Sequence, residues 1–276
     1  MRRALSSHLF ANHRLTTALL DKIQHAGIPA VEIFCARQHL DYRNRAQITE
    51  LGHWFRDSEM VFHALHAPIY SDDAWGRSGP HAVLNILETS KPRRIQAVDE
   101  IKRAIEIAEY APFRYLIQHL GLPEEEYDER KLDAAFSSLE ELSVFARQRG
   151  VEILLENIPN AFSSPERLVS FLEATHLNLG FCLDVGHAHL GEGIRDAFER
   201  MKDRLRSTHL HDNDGQQDAH LFPLLASEGS VDWKQTVELL RACGDELPWV
   251  LELREVPEMK NPLEKVQEIF ERLESL

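Results

Sequence analysis

The chain has no stretch that approaches the ~20 consecutive apolar residues needed for a membrane-spanning helix. Its first residues, Met1-Arg2-Arg3-Ala4-Leu5, include basic side chains but no apolar segment of signal-peptide length. These two absences predict a soluble, cytoplasmic protein without a membrane partner.

Cysteine is scarce and shows no pairing pattern. The three cysteines, Cys35, Cys182 and Cys243, are far apart and form no Cys-x-x-Cys motif, which is typical of reduced thiols in a cytosolic protein. Because Cys182 lies within an apolar run, we predict that it belongs to the core.

Basic residues are few relative to acidic ones. The chain has 31 lysines and arginines against 45 aspartates and glutamates, a formal net charge of −14. Proteins that bind nucleic acid mainly through phosphate contacts usually carry a basic surface, so the charge argues against such a partner. A bound cluster of divalent metal ions would, however, reverse the local sign. The glycine-rich motifs GxGxxG and GxxxxGK[ST] are also absent, which removes the usual nucleotide-binding interpretations.

Short apolar segments alternate along the whole chain with segments whose apolar residues recur every 3.6 positions. The predicted strands are Leu5–Phe10, Ala30–Phe34, Met60–His66, Tyr115–His119, Val151–Glu156, Leu179–Asp184, Arg206–His211 and Trp249–Glu252. The clearest predicted helices are Leu15–His25, Ile95–Glu109, Leu132–Arg149, Pro165–Ala174, Ile194–Arg204, Trp233–Cys243 and Pro262–Leu273. Strand followed by amphipathic helix, repeated without a break in composition, predicts an α/β protein with a parallel sheet. We therefore predict a single (β/α)8 TIM barrel domain over residues 1–276.

One connection, Ala67–Arg94, is unusually long and includes Tyr70, Trp75 and Arg77. Loops of more than about 12–15 residues without clear structure are often lids or binding segments. A functional lid and a plain surface loop both remain open at this point.

Most predicted strands from the third onward end in, or are closely followed by, a side chain able to bind a metal ion. These side chains are His66, His119, Glu156, Asp184, His187, His209, Asp218, His220 and Glu252. The C-terminal ends of the strands of a (β/α)8 barrel converge at one mouth, where active sites are found. Crowded carboxylates and imidazoles would repel one another or shift their pKa values unless cations neutralised them. We therefore predict a divalent-metal site, and its mixed oxygen and nitrogen ligands suit manganese, zinc, cobalt or magnesium.

The candidates divide into two sets. The inner set, predicted to be the metal ligands, is Glu156, Asp184, His209 and Glu252. The outer set either supplies further ligands or lines the pocket, and it consists of His66, His119, His187, Asp218 and His220. We predict that Asp212 anchors His209 and that His189 and His211 line the site. The remaining histidines, His8 among them, receive no site role.

The motifs that carry these candidates are His66-Ala67-Pro68, Glu156-Asn157-Ile158-Pro159, Leu183-Asp184-Val185-Gly186-His187, His209-Leu210-His211-Asp212-Asn213 and Asp218-Ala219-His220, followed by Glu252. Together and in this order they resemble the xylose isomerase-like TIM barrels. This superfamily joins sugar isomerases and epimerases with endonuclease IV. The resemblance covers the chain from the predicted strand at 30–34 through Glu252.

The resemblance implies two assignments of the site. In ketose 3-epimerases and similar isomerases, one manganese-like ion is held by the residues that match the inner set. There the two glutamates, matching Glu156 and Glu252, also move the proton, and the residue matching His187 contacts the substrate. In endonuclease IV, a three-zinc cluster uses the positions that match all nine candidates.

The chain departs from both patterns. Endonuclease IV-like sequences carry a serine- and lysine-bearing stretch after the strand-seven histidine, where this chain has the acidic segment 211–214. They also have a tyrosine where Ile69 stands. Ketose epimerases place a substrate-binding glutamate at the position of Phe162 and an arginine at that of Gly215. Neither specificity transfers unchanged.

The leading hypothesis is a metal-dependent isomerase or epimerase of a sugar or sugar phosphate. The metal would polarise the substrate carbonyl and stabilise an enediolate, Glu156 and Glu252 would be the acid/base pair, and His187 would orient the substrate. The predicted partner is a small sugar, and a homo-oligomer is left open.

The alternative is an endonuclease IV-like phosphodiesterase that acts at abasic DNA through three zinc ions. Basic residues of the long connection would then contact phosphates, and these are Arg77, Lys91, Arg93 and Arg94. A third hypothesis, from another class, is a barrel that binds metal or a small ligand without turnover.

Overall fold

Eight parallel strands close into a barrel in the computed structural model, which describes residues 2–257 and 259–276. The strands are β1 (Arg2–Ser6), β2 (Ala30–Phe34), β3 (Val61–His66), β4 (Tyr115–His119), β5 (Glu152–Glu156), β6 (Gly180–Asp184), β7 (Leu205–Leu210) and β8 (Pro248–Leu251). Each strand pairs with its neighbours in chain order, and β8 pairs with β1 through Ala4 and Val250. The predicted fold class, a (β/α)8 TIM barrel, is confirmed.

The α-helices lie in the connections between the strands. They are α1 (Thr17–His25), α2 (Arg45–Asp57), α3 (Lys91–Ile105), α4 (Glu129–Arg147), α5 (Pro165–Thr175), α6 (Val185–Leu190), α7 (Ile194–Met201), α8 (Trp233–Arg241) and α9 (Pro262–Ser275). Helices α2 and α6 were not among the clearest predicted helices, and α6 has only six residues. None of the described helices is both long enough and apolar enough to cross a membrane.

The first strand lies earlier in the chain than predicted. We predicted Leu5–Phe10, but β1 ends at Ser6 and residues Ser7–Phe10 form a 3-10 turn. The Ser6 hydroxyl accepts a hydrogen bond from the backbone N–H of His8 and begins this turn. As a result, His8 follows the C-terminal end of the strand, on the side of the barrel mouth.

Side chains alternate between the two faces of each strand, so that every second residue points into the barrel. Lower in the barrel the interior is apolar, with one buried cluster of Ala4, Ala30 and Val250 and a second that includes Leu154 and Cys182. Cys182 is fully buried, as predicted. Two residues further along β5 and β6, the same face carries Glu156 and Asp184. The apolar interior therefore ends where the polar candidates begin.

The long connection after β3 folds back on itself and packs against the mouth. Tyr70 and Val83 form an isolated antiparallel bridge within it. The ring of Trp75 lies 5.1 Å from that of Phe34 at the end of β2 and 6.0 Å from that of His8. Helix α3 begins at Lys91, so the last residues of the predicted loop are helical.

His39 is a buried histidine that holds two loops together. Its ring donates to the carbonyl of His13 and contacts the hydroxyl of Ser7 at 2.9 Å. Burial lowers the pKa of His39 to about 4, although the bond to His13 opposes the shift. In an unfolded chain histidine titrates near ~6.5. The unfolded state therefore binds a proton first as the pH falls, and the folded state loses stability.

The free energy of unfolding of the wild-type protein should fall between roughly pH 6.5 and pH 4 as His39 becomes protonated in the unfolded state. We predict that His39→Gln makes this fall smaller, by up to about 3 kcal/mol at the lower pH. The free energy of unfolding, measured in denaturant at several pH values, tests this. His53→Gln, at an exposed position of α2, is the control and should leave the slope unchanged. An unaltered slope in the His39 variant would contradict the prediction.

Candidate metal centre

The nine predicted metal-ligand candidates lie together at the C-terminal end of the barrel. They form three groups in which one ligand atom from each residue lies within 4.8 Å of the others. The inner cluster is Glu156, Asp184, His209 and Glu252; the second cluster is His66, His119 and Glu156; the third cluster is His187, His211, Asp218 and His220. Glu156 is shared by the first two clusters, and His211 joins the third as an additional member.

In the inner cluster, the carboxylates surround one imidazole nitrogen. Nδ1 of His209 lies 3.0 Å from Oε1 of Glu156, 3.2 Å from Oε2 of Glu252 and 3.8 Å from Oδ2 of Asp184. All four side chains are almost fully buried. Three carboxylates and one imidazole around a common point are a donor set that fits a divalent cation such as Mn²⁺ or Zn²⁺.

The second cluster uses the other oxygen of Glu156. Oε2 lies 3.0 Å from Nε2 of His119 and 3.4 Å from Nε2 of His66. Both oxygens of this carboxylate therefore have histidine partners, one oxygen in each cluster. A carboxylate placed in this way is suited to bridge two cations.

The third cluster is organised around Asp218. Oδ2 of Asp218 lies 3.2 Å from Nε2 of His187 and 3.3 Å from Nε2 of His220. Its other oxygen, Oδ1, is buried and has no hydrogen-bond partner among the described residues. Nε2 of His211 contacts the Asp184 carboxylate at 3.1 Å and so links this cluster to the inner one. An unpartnered buried oxygen beside three imidazoles also fits a cation.

Several of these histidines use one ring nitrogen to donate a hydrogen bond away from the clusters. Nδ1 of His66 donates to the carbonyl of Ala67, Nδ1 of His187 to that of Asn157, and Nδ1 of His220 to that of Glu252. The lone pair of Nε2 then faces the carboxylates. Outer hydrogen bonds of this kind select the tautomer of histidine that binds metal.

The two glutamates of the inner cluster have different electrostatic surroundings. Burial disfavours the charge of Glu156, but the adjacent His209 and His119 outweigh it and hold its pKa well below the usual range. Burial raises the pKa of Glu252, although His209 and His220 oppose the shift. The site therefore contains one carboxyl group that favours the ionised form and one that retains a proton more readily.

Hydrogen bonds between the side chain of Asn157 and the backbone of Asp184 fix the ends of β5 and β6 relative to each other. The side-chain amide of Asn157 donates to the carbonyl of Asp184 at 2.9 Å and accepts from its N–H at 2.8 Å. The Asp184 carboxylate in turn accepts from the backbone N–H of His187 and caps α6. This arrangement brings His187 back over the inner cluster.

The predicted role of Asp212 is wrong. Its carboxylate does not contact His209 but accepts hydrogen bonds from the backbone N–H groups of Ser230 and Val231 and from the indole N–H of Trp233. Asp212 therefore anchors the loop that carries Asp218 to the start of α8. His189 bonds Ser230 in the same region and lies in none of the three clusters.

Two residues near the clusters were not predicted. Glu32, in the middle of β2, contacts Nε2 of His209 at 3.0 Å. His8 packs 5.0 Å from the ring of His220, and burial lowers its pKa well below the usual range. Glu32 could have been found from the sequence, because it is the one carboxylate within the apolar run of β2. His8 could have been found if β1 had been predicted to end at Ser6, because His8 would then follow a strand end.

Residues 20–276 match the family described as xylose isomerase-like TIM barrels. The chain belongs to this family. An uncharacterized protein of Methanocaldococcus jannaschii is 30% identical to this chain over 256 residues, covering 88% of this chain and 80% of the relative.

Solved structures of similar shape span the chain from end to end. A D-tagatose 3-epimerase-like protein superposes with a TM-score of 0.79 at 26% identity, covering 100% of this chain and 97% of the other. The IolI protein, determined with a zinc atom, superposes with a TM-score of 0.74 at 18% identity, covering 99% and 96%. The second of these comparisons concerns the fold alone.

We predict that Asp212→Asn lowers the free energy of unfolding by roughly 2 kcal/mol, because an amide nitrogen at one oxygen position cannot accept from Trp233 or from the loop backbone. Chemical denaturation measures the change. Asp214→Asn, two residues further along the same loop and exposed, is the matched control and should have little effect. Equal stability of the two variants would show that Asp212 does not anchor this loop.

Proposed function

We propose that this chain is a divalent-metal-dependent isomerase or epimerase of sugars or sugar phosphates, which acts by proton transfer through an enediolate. The observation that carries the proposal is the inner cluster, in which carboxylate oxygens of both Glu156 and Glu252 lie within 3.2 Å of Nδ1 of His209. Names of similar structures support it, since one is described as D-tagatose 3-epimerase-like and another as a D-psicose 3-epimerase in the presence of D-fructose.

The residues that would hold the ion are Glu156, Asp184, His209 and Glu252, with zinc or manganese first and cobalt or magnesium as alternatives. When bound, the ion would polarise the substrate carbonyl and offset the negative charge of the enediolate. The zinc atom in the structure of the IolI protein, which shares this fold, supports a divalent metal in this chain.

The two glutamates would move the proton. Both oxygens of Glu156 have histidine partners, whereas no hydrogen bond or ion pair in the described part of the chain involves Oε1 of Glu252. That oxygen is available to take the proton from the carbon that bears a hydroxyl next to the carbonyl. Glu156 would complete the acid/base pair on the opposite face of the sugar, and His187, held by Asn157, would orient a substrate hydroxyl.

The surroundings of the clusters suit a small neutral or weakly charged substrate. Phe34 and Trp75 form an apolar wall beside His66, against which the carbon–hydrogen face of a sugar would pack. The loop after β4 carries three consecutive glutamates, of which Glu125 pairs with Lys131. The other two, Glu124 and Glu126, are exposed, and their charge disfavours a polyanion.

We predict that Glu252→Gln slows proton exchange into a ketose by at least about 100-fold, because the amide cannot accept the proton. Incorporation of deuterium from heavy water next to the carbonyl, followed by NMR over a panel of ketoses and ketose phosphates, measures it. Glu255→Gln, three residues further on and paired with His13, is the control and should retain exchange. Absence of exchange with every sugar in the metal-loaded wild-type protein would reject the proposed function.

A second candidate function is metal-dependent hydrolysis of phosphodiesters at abasic DNA. The specific observation in its favour is the set of three adjacent clusters, which would accommodate three ions with Glu156 shared between two. The basic residues expected to contact phosphates give it less support. Arg93 lies 3.7 Å from the carboxylate of Glu88, and Arg94 bonds the carbonyl of Glu88.

We expect zinc-loaded protein to leave an abasic duplex intact at low salt, where phosphate contacts are strongest. Metal analysis of protein purified without chelator accompanies this assay, with about one ion per chain expected for the isomerase and about three for the nuclease. Nicking of the abasic strand, lost in Glu156→Gln, would establish the second function instead. Nicking that persists in this variant would indicate a contaminating nuclease.

A further inference from the structure

Glu32 is a fully buried carboxylate in the wall of the barrel. It lies in the middle of β2, opposite Ser6 of β1 and Ala64 of β3, and the other four residues of the strand are apolar. The proposed proton chemistry does not use it. Burial of a charged group without compensation is costly, so its neighbours should indicate what it does.

Among the described residues, Glu32 has one polar side-chain partner. Its Oε2 lies 3.0 Å from Nε2 of His209, which is also fully buried. Its Oε1 is buried without a hydrogen-bond partner among the described residues. A carboxylate held only to give core stability is normally surrounded by several donors. Within the described part of the chain, Glu32 instead accepts one side-chain hydrogen bond, from Nε2 of His209.

This contact determines which way His209 presents its ring. An ionised carboxylate only accepts hydrogen bonds, so Nε2 of His209 carries the proton and donates it to Glu32. In the neutral ring the lone pair then lies on Nδ1, the atom surrounded by Glu156 and Glu252. His66, His187 and His220 instead donate from Nδ1 to backbone carbonyls and present Nε2, whereas His209 donates from Nε2 to a charged group and presents Nδ1.

We propose that Glu32 is a positioning residue of the inner cluster. It holds the N–H of Nε2 of His209 so that Nδ1 faces the cation, and its charge strengthens the imidazole as a ligand. This inference rests on the proposed metal site. A carboxylate, histidine and metal in series is a general means of orienting a ligand, and loss of the outer partner typically weakens metal affinity about 10–100-fold.

A purely structural role for Glu32 would predict a different result, and Glu100 offers a matched comparison. Glu100 is a second buried glutamate, 2% exposed, on α3. Its carboxylate accepts hydrogen bonds from the Tyr42 hydroxyl at 2.8 Å and from Nε of Arg43 at 3.1 Å, and it belongs to none of the three clusters. Glu100→Gln therefore removes a buried charge of the same kind without touching the proposed site.

The test is the dissociation constant for Zn²⁺ of the full chain, measured by competition with a chromophoric chelator, together with the unfolding midpoint of the metal-free protein. We expect Glu32→Gln to raise the constant of the tightest site about 10–100-fold. Glu100→Gln should lower the unfolding midpoint without changing this constant. Wild-type affinity in the Glu32 variant, or equal weakening in both variants, would overturn the inference and leave the proposed function standing. A wild-type protein that binds no zinc would reject both.

A measurement on the wild-type chain keeps the proposal testable if Glu32→Gln does not fold. In zinc-loaded protein labelled with ¹⁵N-histidine, the nitrogen of His209 that carries the proton can be identified by NMR. We expect that nitrogen to be Nε2. A proton on Nδ1 in the zinc-loaded protein would contradict the proposal, since Glu32 would then face a lone pair.

Discussion

At the C-terminal end of the barrel, the carboxylate of Glu156 contacts the imidazoles of four histidines, His66, His119, His187 and His209, almost entirely out of water. Each of these histidines comes from a different strand or strand end, so the contact exists only when the barrel is closed. A buried charge without partners is costly. The charge of Glu156 is therefore stabilised only when the topology of the sheet brings these histidines together. The other two carboxylates of the inner cluster, those of Asp184 and Glu252, also lie within 3.8 Å of Nδ1 of His209.

The register of the strands determines which side chains point into the barrel and at what depth they lie. Glu156 and Asp184 lie two residues beyond Leu154 and Cys182, so each pair shares the inward face of its strand. A shift of one residue would turn the polar side chains outward and expose the apolar layer below them. The apolar interior therefore fixes the depth at which the carboxylates lie, and the capped turn between Asp184 and His187 adds an imidazole from beyond the strand end.

The strand ends were predictable because their signal is local. An apolar segment that ends in a glutamate, aspartate or histidine can be recognised in the sequence without knowing which strands lie beside it. The topology of the barrel then implies that such residues lie close together. Glu32 escaped this reasoning, since it lies within its strand and its partner, His209, is far away in the sequence. Asp212 was assigned to His209 on proximity in the chain, whereas its partners come from the loop before α8.

The sequence by itself determined the (β/α)8 architecture and the set of residues that lie together at its mouth. Hydrophobic periodicity and the residue type at a strand end are both properties of short segments of the chain. Only the tertiary structure decided how those residues divide into three clusters, that Glu156 is shared between two of them, and that Glu32 lies behind His209. These features depend on distances between side chains that are remote in sequence. Closure of the barrel and the register of its strands set those distances.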